Sequence, residues 1–218
     1  YNHPDRVEVT GTPVRGSFAC YTRDSAKREL GLPVDKPLVV SVWGSLGAGH
    51  MNEIMTELIP KLRGQNDFRL VHSAGSKYYK DMTARLAETA PDYEEWGVDV
   101  REYIYDMPRV MAAADLIMCR AGASTLAELA YMGKPVIIVP SPNVTNNHQE
   151  KNARVLENAG GAKVLLEGEF DADSLLSDVR ELLGSEERLN EMSSAMRALA
   201  VTEATDKICG TILDLVKK

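Results

Sequence analysis

From Leu38 onward the chain alternates short apolar runs with longer stretches of helical periodicity. Leu38-Val39-Val40-Ser41-Val42-Trp43 is β-branched and apolar almost throughout, the pattern of a parallel strand covered on both faces. After a loop over Gly44–Gly49, the residues Met51, Ile54, Met55, Leu58, Ile59 and Leu62 recur at helical spacing. Phe68–His72 predicts a second strand and Tyr78–Thr89 a helix. Val98–Ile104 predicts a third strand, and Met107–Ala114 a short helix whose first turn accommodates Pro108. Asp115–Met118 is a fourth apolar run, followed by a tight turn at Ala121–Thr125 and a helix to Gly133. Val136–Pro140 predicts a fifth strand, Ser141–Asn147 a polar loop opening the next helix, and Ala162–Leu166 a sixth strand.

The remainder is helical in pattern, over Asp171–Leu183, Glu186–Leu199 and Glu203–Val216. Ile208, Ile212, Leu213, Leu215 and Val216 form the apolar stripe of the last helix, which is expected to pack on the sheet. Before Pro37 the rhythm is weaker. Arg6–Gly11 alternates like a short strand, Thr12–Gly16 breaks it, and Asp24–Leu30 predicts a short helix capped by Asp24 or Ser25. Strands alternating with helices predict an α/β protein: a Rossmann-like, doubly wound parallel sheet of about six strands. Right-handed crossovers would bring every strand-to-helix loop to one edge, where ligands bind in such sheets.

Composition narrows the functional classes. The 218 residues are 44% apolar and 26% charged, ordinary for a globular chain, with net charge −7. No Lys/Arg-rich block provides a footprint for nucleic acid, and no run of about eighteen apolar residues spans a membrane. Cys20, Cys119 and Cys209 are few and far apart, which predicts reduced thiols. The opening Tyr1–Arg6 is no signal peptide and lacks an initiator Met, so the chain is expected to be part of a longer protein.

Three loops carry the candidate chemistry. Gly44, Gly47 and Gly49 form G-x-x-G-x-G, which is neither the dinucleotide fingerprint nor a phosphate-binding P-loop. The loop is either a tight turn without a ligand or a close backbone approach to a phosphate or sugar, with the Ser45 hydroxyl as donor. In the second loop, Ser124 and Thr125 fall in the first turn of a helix, whose free N–H groups favour a diphosphate. Glu128 lies on the same helix face, either as a solvated charge or as an acceptor for a ribose diol. In the third loop, Asn146-Asn147-His148-Gln149-Glu150-Lys151-Asn152 offers amides and an imidazole that both cap a helix and suit sugar hydroxyls. No carboxylate pair, nucleophile elbow or metal-ligand cluster is evident in the sequence. The residues alone point to a nucleotide-linked, sugar-bearing ligand.

These motifs resemble the C-terminal, donor-binding half of the MurG family, bacterial transferases that add N-acetylglucosamine (GlcNAc) from UDP-GlcNAc to lipid I (undecaprenyl-pyrophosphoryl-MurNAc-pentapeptide), making lipid II. The resemblance rests on Gly11-Thr12-Pro13-Val14-Arg15, Gly44-Ser45-Leu46-Gly47-Ala48, the run Cys119–Glu128 and the run Asn147–Ala153. It implies one half of a GT-B glycosyltransferase, with residues 1–16 an interdomain linker, 17–218 the UDP-GlcNAc-binding domain and 203–218 a closing helix. It further implies that Arg15 and Ser45 contact the diphosphate and stabilise the leaving group. The backbone of Ile104 would read the uracil edge beside Tyr103. Ala123, Ser124 and Thr125 would present the helix start to the phosphates, Glu128 would hold the ribose, and His148 and Gln149 the GlcNAc hydroxyls.

Thr12 and Trp43 depart from the family's GNPVR and GGSxGA segments, and crowding at Trp43 is expected to leave the chemistry intact. The implied reaction is an inverting displacement that requires no cofactor; a divalent cation is compatible with it, but no ligand set asks for one. The implied partners are UDP-GlcNAc and, through an N-terminal acceptor half outside this chain, lipid I and the cytoplasmic side of the plasma membrane, with this domain alone soluble and inactive in transfer. Another GT-B transferase acting on a glycolipid, or a non-catalytic nucleotide-sugar-binding subunit, would share these motifs.

Overall fold

The computed structural model describes residues 4–216. Six strands form one sheet: β1 (Leu38–Val42), β2 (Arg69–Ser73), β3 (Val98–Arg101), β4 (Leu116–Cys119), β5 (Val136–Ile138) and β6 (Ala162–Val164). Their order is β3-β2-β1-β4-β5-β6, and every neighbouring pair is parallel. The chain runs outward from β1 to β3, then returns to pair β4 against β1 before running outward on the other side. This reversal opens a crevice at the carboxyl ends of β1 and β4.

Alternation along each strand divides the core in two. Val39, Leu70, Leu116, Met118 and Ile137 face one side, under α2 (Gly49–Leu58), α3 (Tyr79–Thr89) and α7 (Ala172–Leu183). Leu38, Val40, Val42, Val71, Ile117 and Ile138 face the other, under α1 (Arg23–Glu29), α4 (Met107–Ala113), α5 (Ala123–Met132) and α6 (His148–Asn158). Met196 of α8 (Glu186–Ala198) closes the second core near Ala162. Burial of both faces explains why the strands read as apolar runs.

Several expectations are corrected. Arg6–Gly11 forms no strand; Pro4–Arg6 is a single 3-10 turn, and the backbone beyond it is irregular up to Arg15. The cap of α1 is Thr22, in a reciprocal capping box with Ser25, because Asp24 and Ser25 already lie inside the first turn. β3 stops at Arg101, so that Glu102–Asp106 is free to turn toward α4. The final helix α9 (Ala204–Val216) buries Ala204 alone; Ile212, Leu213, Leu215 and Val216 are exposed rather than packed on the sheet. Ile208 of the same stripe is half-buried, and both sheet faces are already covered by α1–α8. The C-terminal pair Lys217-Lys218 lies outside them.

The amino ends of the strands are tied by charge. Asp115, just before β4, accepts from Arg23 and Lys27 of α1 and from the Leu38 backbone N–H. Burial would raise its pKa, but those donors outweigh it and hold the carboxyl below its ordinary range. Nearby Lys134 donates to the Ala112 and Ala114 carbonyls at 2.7 Å, and burial pushes its pKa down to about 8.

A second buried network lies between the sheet and α2. The Trp43 indole N–H donates to Ser41 Oγ at 2.8 Å, and Ser41 Oγ lies 2.9 Å from His72 Nδ1. His72 Nε2 lies 2.8 Å from Asn52 Oδ1, while Asn52 Nδ2 donates to the Ala74 carbonyl. The carbonyl partner fixes the Asn52 amide, so His72 donates from Nε2 and accepts at Nδ1. The ring is therefore neutral, and full burial lowers its pKa to about 3 from 6.5. A base whose folded pKa is depressed costs stability as pH falls below its unfolded pKa. Between pH 7 and pH 5 His72 should remove about 2 kcal/mol of unfolding free energy, with H72Q lacking that loss. Urea unfolding at the two pH values tests this, and an identical pH dependence in both proteins would refute it.

Candidate functional site

The crevice at β1 and β4 contains a cavity of about 670 Å³. Its floor is made by the ends of those strands, Val42, Trp43 and Cys119. Burial drives the Cys119 thiol pKa up to about 12, which makes it an inert wall rather than a nucleophile.

One wall is the glycine loop. Gly47 has φ +76°, and a Cβ there would meet the Ala74 carbonyl oxygen at 2.0 Å. Gly75, with φ +82°, is equally tight against the Gly47 backbone nitrogen, at 2.2 Å. The loops after β1 and β2 thus interlock backbone to backbone, and glycine is required at the contact. Asn52 holds the same Ala74 carbonyl, which links the loop to the His72 network. Ser45 stands exposed on the cavity side.

The opposite wall is the amino end of α5. Gly122 occupies the N-cap position without a side-chain cap, so the first-turn N–H groups are not taken by such a bond. Thr125 and Glu128 line the cavity, one turn apart, while Leu126, Leu129 and Ala130 face the core. Glu128 is partly buried, which raises its carboxyl pKa, and the positive charge of Arg15 opposes that rise. Arg15 lines the same cavity with its guanidinium 5.3 Å above the Phe18 ring. Tyr103, Met107 and Met111 close this end.

The third wall comes from α6 and the loop after β5. Gln149 Oε1 accepts the Ser141 N–H at 3.0 Å and the Ala121 N–H at 3.2 Å. Asn152 Nδ2 donates to the Ala121 carbonyl at 3.4 Å. Two side chains of α6 therefore fix the turn that begins α5, and Gln149 also fixes the loop leaving β5. Because its carbonyl is committed, only the Gln149 NH₂ group remains for a ligand.

The cavity thus brings together Arg15, Ser45, Tyr103, Thr125, Glu128 and Gln149. Four other sequence candidates are placed differently. Ile104 has its side chain in the core, leaving only its backbone for recognition. Ala123 and Ser124 are exposed on the first turn of α5 without lining the cavity by their side chains. His148 is exposed, donating from Nδ1 to the Thr145 carbonyl at 3.0 Å.

Sequence reasoning passed over Arg120 and Glu167, which face the cavity beside Gln149. Arg120 donates to the Val139 and Pro140 carbonyls, pairs with Glu167 and lies over Trp43 with its guanidinium 5.9 Å from the ring. Trp43 is thereby turned into the floor, where it holds Arg120 without filling the cavity. Arg120 was legible as a neighbour of the Gly122 turn; Glu167 follows β6 with no pattern to mark it. No group of three potential metal ligands occurs among the described residues.

Comparison with known proteins agrees with this architecture. Residues 38–208 match the family described as the glycosyltransferase family 28 C-terminal domain. A relative from Acetivibrio thermocellus is 37% identical over 217 residues, covering the whole chain and 58% of the relative. A Thermoanaerobacter relative is 39% identical over 208 residues, covering 95% of the chain and 56% of the relative. Both are named UDP-N-acetylglucosamine–N-acetylmuramyl-(pentapeptide) pyrophosphoryl-undecaprenol N-acetylglucosamine transferase. The chain therefore spans less than two thirds of the curated relatives it matches. The crystal structure of Acinetobacter baumannii MurG superposes with a TM-score of 0.72 at 27% identity, over 97% of this chain and 58% of that one.

The Gln149 clamp is open to test. Q149A leaves the Ala121 and Ser141 N–H groups without their acceptor and should cost about 1–3 kcal/mol of unfolding free energy. Urea titration measures it; an unchanged midpoint would show that water serves those groups equally well.

Proposed function

Because this chain belongs to the glycosyltransferase family 28 C-terminal domain family, we propose that it is the UDP-GlcNAc-binding half of an inverting GT-B transferase that acts on lipid I. The observation that carries this reading is the amino end of α5 at the strand-order reversal, where Thr125 and Glu128 share one cavity with Arg15. A nucleoside diphosphate suits it end to end. The diphosphate lies against the open N–H groups of Ala123–Thr125, which favour an anion by roughly 0.3–1 kcal/mol, and up to about 2 when partly buried. Arg15 and Ser45 approach it from the other side. The Glu128 carboxylate accepts from the ribose diol, and the base lies toward Tyr103 with the backbone of Ile104 at its edge. Gln149 offers its NH₂ group to the sugar, and His148 flanks that end at the start of α6.

In transfer, an acceptor hydroxyl gives its proton to a general base of the N-terminal half and attacks the anomeric carbon as the bond to the diphosphate breaks and UDP leaves. The charge growing on the leaving phosphate is met by the helix start, Arg15 and Ser45, all fixed before the reaction begins. Such preorganised electrostatics is commonly the largest contribution to catalysis. Residues 1–16 then serve as the linker to an N-terminal half bearing the acceptor site, and membrane contact belongs mainly to that half, at the cytoplasmic side of the plasma membrane. Support for a further half is that the chain covers 58% of the Acetivibrio thermocellus relative.

Two outcomes are expected in calorimetric titration. UDP-GlcNAc should bind more tightly than UDP-glucose or UDP-galactose, and a preference for UDP-galactose would overturn the assigned donor. E128A should weaken UDP and UDP-GlcNAc alike by roughly 1–3 kcal/mol, the cost of unmet partners at a partly buried site. An unchanged dissociation constant would remove Glu128 from the ribose.

A further inference from the structure

We infer that Glu167 is a specificity-determining residue at the sugar end of the cavity, where its carboxylate accepts a hydrogen bond from a hydroxyl of the donor's hexose. The inference rests on the donor-site reading above and assigns a role to a residue outside every motif of the resemblance.

Three observations converge on it. The first is position. The cavity runs from Tyr103 and Glu128, past the amino end of α5, to Ser141, Asn143, Gln149 and Glu167 beyond β5. A nucleotide anchored at Glu128 with its diphosphate on α5 has only this far end left for its sugar.

The second is charge. The end nearest Glu128 holds the Arg15 cation and the helix start, both attractive to a diphosphate. The far end holds a carboxylate, which repels phosphate. Arg120 balances that carboxylate, but its guanidinium is committed to Val139, Pro140 and Glu167 together. Each end thus holds one arginine and one carboxylate, and the uncapped start of α5 is the added feature that draws the diphosphate away from Glu167.

The third is unspent bonding capacity. Glu167 Oε2 is buried and spent on the ion pair with Arg120 Nη2 at 2.5 Å, while no hydrogen bond to Oε1 occurs among the described residues. A carboxylate has about two acceptor positions on each oxygen, and those of Oε1 are the ones left to a ligand. The Gln149 NH₂ group supplies a donor beside it, since its oxygen is held by Ala121 and Ser141. A fixed acceptor beside a fixed donor suits hydroxyls, each of which both donates and accepts. Arg120, anchored on two backbone carbonyls, acts here as a positioning residue that sets the angle of the carboxylate.

The test is isothermal titration of this chain and its E167A and E167Q variants with UDP and with UDP-GlcNAc. E167A should bind UDP within about twofold of wild type while losing about tenfold in UDP-GlcNAc affinity. E167Q keeps an acceptor without the charge and should lose about threefold for UDP-GlcNAc alone. If E167A fails to fold because Arg120 is left unpaired, the near-isosteric E167Q carries the test. Equal losses for UDP and UDP-GlcNAc, or unchanged UDP-GlcNAc binding in both variants, overturn the inference while wild-type binding of UDP leaves the donor site standing. Wild-type protein that binds neither ligand overturns the donor-site reading and this inference with it.

Discussion

The handedness of parallel crossovers is the constraint on which the rest depends. Strands that all run one way, joined by right-handed helical connections, send every strand-to-helix loop to the same edge. The reversal of order at β1 and β4 then holds two of those loops apart, and the cavity is the gap between them. The glycine loop, the start of α5 and the loop after β5 are distant in sequence yet form three walls of one space because the sheet leaves them nowhere else to go.

Topology alone would give only an opening. Its shape is fixed by polar contacts that the core cannot supply. On one side, Gly47 and Gly75 interlock and Asn52 ties the Ala74 carbonyl to the neutral His72. On the other, Gln149 and Asn152 grip both backbone groups of Ala121, just before α5 opens its free N–H groups. The walls are thus held by groups that do not touch a ligand through the same atoms they use for support. This allows the first-turn amides of α5 to be held in place without a side-chain cap, the arrangement that electrostatic preorganisation requires.

Much of this was legible in the sequence. The central β1, β4 and β5 show as apolar runs because they are buried on both faces, whereas the edge strand β3 shows as the alternation Val98-Asp99-Val100-Arg101. The Gly122 turn, Thr125 and Glu128 could be placed on one helix face from spacing alone. What failed has physical reasons. Arg6–Gly11 alternates like a strand, but local pattern cannot supply a partner to pair with. The apolar stripe of α9 predicts a packed helix, yet whether a face is covered depends on how many helices already occupy the sheet. The resemblance implies Gln149 as a sugar contact, which its NH₂ group leaves open; what the sequence did not show is the use of its oxygen. Its carbonyl is spent on two backbone N–H groups, a use visible only once β4, β5 and α6 are brought together. Glu167 carries no motif, because its place in the cavity is set by the length of β6 and the turn after it.

The most direct test of the central claim is a crystal structure of this chain with UDP-GlcNAc bound. The account predicts the diphosphate on the backbone N–H groups of Ala123–Thr125, the ribose on Glu128, the uracil beside Tyr103 and the sugar toward Gln149 and Glu167. A ligand in the reverse orientation, or one bound in a different cavity such as that near Lys134 at the opposite edge of the sheet, would contradict it.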